Sequence, residues 1–144
     1  FLKTQILGVP RTEEELSGYD VSWLGNNVGW LQDTAFPGRL DGGNAVLTGH
    51  VVNYDGKSGP FIALERLQYG DQIMIEAFGE RYTYLVTDVM VVARDNFEIM
   101  EPTEQPTLTL LTCKYFNEET NQYDGRIAVK ALLDSVSLAD DSIP

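Results

Sequence analysis

Residues 107–113 read TLTLLTC, a run of threonines and leucines that stops on the sole cysteine of the chain. In an extended chain successive side chains point to opposite faces, so Leu108, Leu110 and Thr112 share one face and Thr107, Thr109, Leu111 and Cys113 the other. A strand is expected here, and further strands are expected around it. Asn44 to His50 (NAVLTGH) is a compact apolar strand ending on a glycine and the only histidine. Gln72 to Phe78 and Tyr82 to Val92 carry β-branched and aromatic residues, and Gly79-Glu80-Arg81 between them fits a tight hairpin. Leu2 to Val9 reads as a strand ended by Pro10, which cannot donate to a ladder. Arg126 to Leu133 reads as the final strand.

Helical signals are few. Thr12 to Leu16 has a threonine followed by glutamates, the pattern of an N-cap and acidic first turn. Phe61 to Leu67 has the spacing of one short helix, entered through Ser58, Gly59 and Pro60 and left at Gly70-Asp71. From Val21 to Gly43, Trp23 and Trp30 stand among glycines, two asparagines and Pro37, too many breakers for a long regular element. Six or more strands with at most two short helices make a mainly β fold, a closed or nearly closed barrel, the economical architecture. At 144 residues one domain is expected over 1–144, with a polar tail from about Ser135 loosely held.

The composition, 43% hydrophobic and 22% charged, is that of an ordinary globular chain. A net charge of -12 and a pI of about 4.3 repel a phosphate backbone, so nucleic acid is not an expected partner. One cysteine excludes an intrachain disulfide. No run approaches the roughly 18 apolar residues of a membrane span. A chain starting at Phe1 without methionine suits an excised ectodomain, whose membrane contact would run only through an anchor upstream of these residues.

A cysteine nucleophile needs a group to take its proton, and a departing amine needs an acid; one imidazole serves both. Cys113 and His50 each end an apolar strand, where side chains become accessible. If those strands are parallel neighbours their ends coincide, and the segment between them is long enough for such a crossover. Arg126 opens the strand after Cys113, so an antiparallel return brings its guanidinium towards the thiol, where it can stabilise a thiolate and donate to an oxyanion. Each residue also has an ordinary reading: a packed thiol, a structural histidine, a surface arginine paired with Asp124.

The ordered set of segments resembles the sortase family. TLTLLTC looks like that family's TLxTC signature ending on the nucleophile, NAVLTGH like the segment ending on its histidine, and DGRIAVKA like the one carrying its arginine. NNVGW, PGRLDGGN and FIALERLQYGDQI extend the likeness over roughly residues 3 to 133, in forms closer to class D or E than to class B. The resemblance implies an eight-stranded β-barrel and cleavage of an LPxTG-like sorting signal between Thr and Gly. The acyl group then passes through a thioacyl-enzyme to an amine. It implies Cys113 as nucleophile, His50 as acid–base partner and Arg126 as oxyanion stabiliser. The implied partners are the sorting-signal peptide of a surface protein and an acceptor amine, a cell-wall peptide or a pilin lysine, at the extracellular face of the membrane. Thr112 has two readings, a substrate- or oxyanion-positioning hydroxyl and a plain strand residue.

Two rivals remain open on the sequence: a cysteine hydrolase using the same residues, and a β-barrel binding module without turnover. No cofactor is expected, since one histidine and one cysteine fall short of a zinc set. Calcium dependence stays open through Glu13, Glu14, Asp33, Asp41, Glu101 and Glu104, although solvated carboxylates are the commoner outcome. Residues 97–106 are expected to border the site, with Glu98, Glu101 and Glu104 favouring a basic acceptor.

Overall fold

The computed structural model describes residues 3–15, 18–53 and 55–139. TLTLLTC opens a strand of eleven residues in a sheet built from β1 (Ile6–Val9), β2 (Val28–Leu31), β3 (Asn44–Thr48), β4 (Gln72–Ala77), β5 (Glu80–Ala93), β6 (Thr107–Asn117) and β7 (Gln122–Leu138). Their spatial order is β1-β2-β3-β6-β7-β5-β4. Among the described residues the sheet therefore has seven strands rather than the eight of a closed barrel, and β1 and β4 are its unpaired edges. It curls into a half-barrel until those edges face one another across a cavity lined by Ile6 and Gly8 on one side and Ile75 and Ala77 on the other.

Alternation decides the two cores. Leu108 and Leu110 of β6 join Ala45, Leu47, Val129 and Ala131 of the flanking strands, with Tyr84, Val86 and Ile75 closing the concave side. Leu111 points the other way and packs with Val46, Ala128, Val9 and Leu31 under Tyr19 and Leu24. The concave core is capped by the chain before β3, where the Gly38 amide donates to the hydroxyl of the buried Tyr84 at 2.8 Å.

The β4–β5 hairpin turns on Phe78 and Gly79, at φ 53° and 79°. Left-handed backbone at both central residues matches the twist of the flanking strands, so the turn is two residues long and Glu80 and Arg81 already belong to β5. The last strand also exceeds its expected bounds. Residues 135–138 are not loose, because β5 supplies a ladder that pairs Ser135 with Thr83 and Leu138 with Glu80; residues 140–144 lie outside the described set. Helix content falls short of expectation. The stretch from Phe61 yields one 3₁₀ turn, Leu64–Arg66, and residues 13–15 form bends in which the Glu14 amide donates to the Thr12 hydroxyl. Leu2 and Leu16, also assigned to elements from sequence, lie outside the described residues. A second 3₁₀ turn, Phe97–Met100, lies in the connection read as loop, where Ile99 and Met100 pack on the convex core.

Candidate active site

β3 and β6 are parallel neighbours, paired from Asn44 with Thr107 to Thr48 with Leu111. The pairing continues one step: the Gly49 amide donates to the Leu111 carbonyl at 3.3 Å, and the Thr112 hydroxyl donates to the Gly49 carbonyl at 2.7 Å. His50 thus leaves β3 level with Cys113. On the other side β7 runs antiparallel, with Cys113 directly opposite Arg126. The three residues form a row across adjacent strands with the cysteine in the middle.

The flanks of His50 fix its direction. Its Nε2 lies 2.8 Å from the Val21 carbonyl. A carbonyl only accepts, so Nε2 carries the proton and Nδ1 is left for exchange. The backbone is clasped as well: the Phe61 amide donates to the His50 carbonyl at 3.1 Å, and a Cβ at Gly59 would meet that carbonyl oxygen at 2.2 Å. Only glycine permits this approach.

Cys113 is half-buried and its thiol makes no hydrogen bond among the described residues. Burial pushes its thiol pKa up, and the Arg126 guanidinium opposes that rise. Arg126 donates Nη1 to the Gly125 carbonyl at 2.8 Å and has no carboxylate partner among the described residues. Asp124, the expected alternative partner, instead accepts from the Asn117 amide at 3.2 Å. The guanidinium charge facing the thiol is therefore not neutralised. Alkylation of Cys113 by iodoacetamide should rise with pH through a midpoint above the ordinary thiol value, because burial favours the protonated form. Arg126→Gln should move that midpoint higher, by removing the opposing charge.

Thr112 is buried and its hydroxyl is committed to the Gly49 carbonyl, tying β6 to the backbone just before His50. Thr112→Val keeps the shape but leaves that carbonyl without its donor, at an expected cost of about 1–3 kcal/mol in denaturant unfolding, while Thr112→Ser should recover most of it. Gly49, Gly59, Phe61 and Val21 complete the site and were not singled out from sequence. The only signal for them was the glycine preceding the histidine and the Ser-Gly-Pro-Phe run.

The segment expected to border the site is instead anchored away from Cys113, through Ile99, Glu101 and Thr103. Asn44 Nδ2 donates to the carbonyls of Ile99 and Glu101, each at 3.0 Å, and the Gly43 amide donates to the Thr103 carbonyl. Those anchors lie at the start of β3 and β6, about 20 Å along the strand from Cys113 at ~3.3 Å per residue. Glu101 and Glu104 are thus at the far end. The same anchoring holds Lys130, whose Nζ donates to the Ile99 carbonyl at 2.6 Å and the Thr109 hydroxyl at 2.7 Å; burial lowers its pKa to about 8. Of the carboxylates considered for calcium, Asp33 is bound by Arg11 and Tyr19 and Asp41 by Arg39. Among the described residues no three metal-ligating side chains converge.

A cavity opens beside Cys113, with Phe61, Ile62, Thr112, Tyr123 and Ile127 also in its wall. With this geometry in hand, residues 7–134 match the model of the sortase domain, and the chain belongs to the sortase family. Its members are transpeptidase-type enzymes acting on peptides. The chain is 32% identical over 98 residues to a candidate sortase, YwpE, of Bacillus subtilis (strain 168), covering 67% of this chain and 90% of that one. Among solved structures it resembles the Clostridium perfringens sortase D5 transpeptidase at 25% identity and a TM-score of 0.64, over 81% of this chain and 67% of that one. It also resembles sortase E1 of Streptomyces coelicolor, solved with a tripeptide in the active site, at 23% identity and a TM-score of 0.64, over 83% and 76%. No helix among the described residues is long and apolar enough to cross a membrane.

Proposed function

We propose that this chain is a cysteine transpeptidase that cuts an LPxTG-like sorting signal between threonine and glycine and passes the acyl part to an amine at the outer face of the cell membrane. The carrying observation is the row of His50, Cys113 and Arg126 on neighbouring strands at one level, within a chain of this family. The Cys113 thiol gives its proton to the His50 imidazole, and the thiolate attacks the threonine carbonyl carbon to form a C–S bond. Arg126 stabilises the oxyanion. Collapse breaks the Thr–Gly C–N bond, and His50 returns its proton to the departing glycine amine. An acceptor amine then attacks the thioester; the new C–N bond forms, its extra proton goes to His50, and the C–S bond breaks to restore the thiolate.

The first substrate is the sorting signal of a surface protein, and the second is the amine of a cell-wall peptide or a pilin lysine. Incubation with LPxTG-type peptides, with and without an added amine, tests the reading by mass spectrometry. A ligated product is expected. Hydrolysed peptide alone, in both cases, would assign water as the acceptor. Absence of cleavage, with peptide binding untouched by Cys113→Ala, would leave a binding module.

A further inference from the structure

Among the described residues the wall of the cavity beside Cys113 holds one carboxylate, Glu65, on the 3₁₀ turn that Leu64 roots in the concave core. Its oxygens already bind a primary ammonium: Lys114 Nζ donates to Oε1 at 3.1 Å and to Oε2 at 2.9 Å. The same Nζ lies 5.4 Å from the centre of the Tyr115 ring. A carboxylate fork and an aromatic face around one nitrogen make a receptor for an unhindered alkylammonium. Tyr115 holds its side chain there from a left-handed backbone, φ 60°, which a bulky residue adopts only where its surroundings impose it.

We propose that Glu65 and Tyr115 form the subsite for the acceptor's ammonium group, and that Lys114 fills this subsite until an acceptor displaces it. The inference rests on the transpeptidase reading and names how its second substrate is recognised. Exchange is feasible, since the Glu65 side chain is 51% exposed and the ion pair is open to water. Lys114, adjacent in sequence to the nucleophile, is an obvious intramolecular acceptor for the acyl group. Its bond to Glu65 pushes its pKa up and keeps the nitrogen protonated, hence without the lone pair that attack requires. An external ammonium bound there is kept protonated in the same way, so Glu65 recognises the acceptor ahead of the reaction, and the amine attacks only after leaving the carboxylate and giving its proton to water.

Two nucleophiles separate recognition from chemistry. Nα-acetyl-lysine amide presents an alkylammonium, whereas hydroxylamine is uncharged near neutral pH and needs no carboxylate. Glu65→Gln should raise KM for the lysine probe about tenfold, the scale of a lost charge-assisted bond, with the hydroxylamine KM within about twofold. Lys114→Met should lower KM for the lysine probe by removing the competitor. Equal changes for both nucleophiles, or no change in the lysine KM of Glu65→Gln, would overturn the subsite. If the wild-type chain gives no hydroxamate from LPxTG-type peptides, it is the transpeptidase reading that fails. An NMR titration of the Cys113→Ala chain with Nα-acetyl-lysine amide still decides the subsite: saturable shifts that Glu65→Gln abolishes support it, and their absence ends it.

Discussion

Cys113→Ala is expected to abolish the thioacyl adduct and to lower transfer by at least ~10³-fold, the usual scale for removing an attacking nucleophile. No other thiol exists to replace it. The substitution removes one half-buried sulfur that makes no hydrogen bond, so stability should change by less than about 1–2 kcal/mol, and lost turnover cannot be ascribed to unfolding. Intact-mass detection of a peptide adduct, beside a denaturant titration of both proteins, checks the two halves of the expectation. Ligation at the wild-type rate in the alanine variant would move the nucleophile elsewhere.

Arg126→Lys and Arg126→Gln should separate charge from hydrogen-bond geometry. The guanidinium spends Nη1 on the Gly125 carbonyl and, at 3.5 Å, on the Tyr123 carbonyl, contacts that hold its plane. Its other donors remain for an oxyanion formed at Cys113, which it faces across the ladder. Lysine keeps the charge opposite the thiol and loses the planar fork. Its kcat should therefore fall about 10²-fold, the scale of one lost oxyanion donor, while the pH profile of alkylation stays near wild type. Glutamine loses both, so kcat should fall about 10²- to 10³-fold and the alkylation midpoint should rise. A lysine variant with undiminished kcat would reduce the role of Arg126 to simple electrostatics.

The strands that carry the site were legible because alternation and strand-end punctuation are local signals. Leu108 and Leu110 fell to one core and Leu111 to the other as their parity required. That β3 and β6 would be partners was only a topological option, since nothing in either segment encodes a neighbour so distant in sequence; the pairing became visible with the sheet order. Extents were misjudged where a ladder overrode composition. Ser135 to Leu138 look like a tail by polarity, yet β5 supplies their hydrogen bonds. The course of residues 97–106 was hidden for a related reason. Asn44 and Lys130 tether that segment through backbone carbonyls, which have no sequence signature. Thr112 stands out in the sequence for its place beside Cys113, but its bond to Gly49 depends on the three-dimensional register alone.

The parallel union of β3 with β6 also sets a schedule. Gly49 and Thr112 are 63 positions apart and touch through a single hydroxyl. During synthesis the histidine strand emerges first and has no permanent neighbour on that side until the cysteine strand follows. β4 and β5 can form their hairpin in the interval from local contacts, whereas the row of His50, Cys113 and Arg126 requires the chain to close a long loop. A nascent chain can therefore carry the imidazole of His50, and later the thiol of Cys113, without the two meeting; they come level only when β6 pairs with β3.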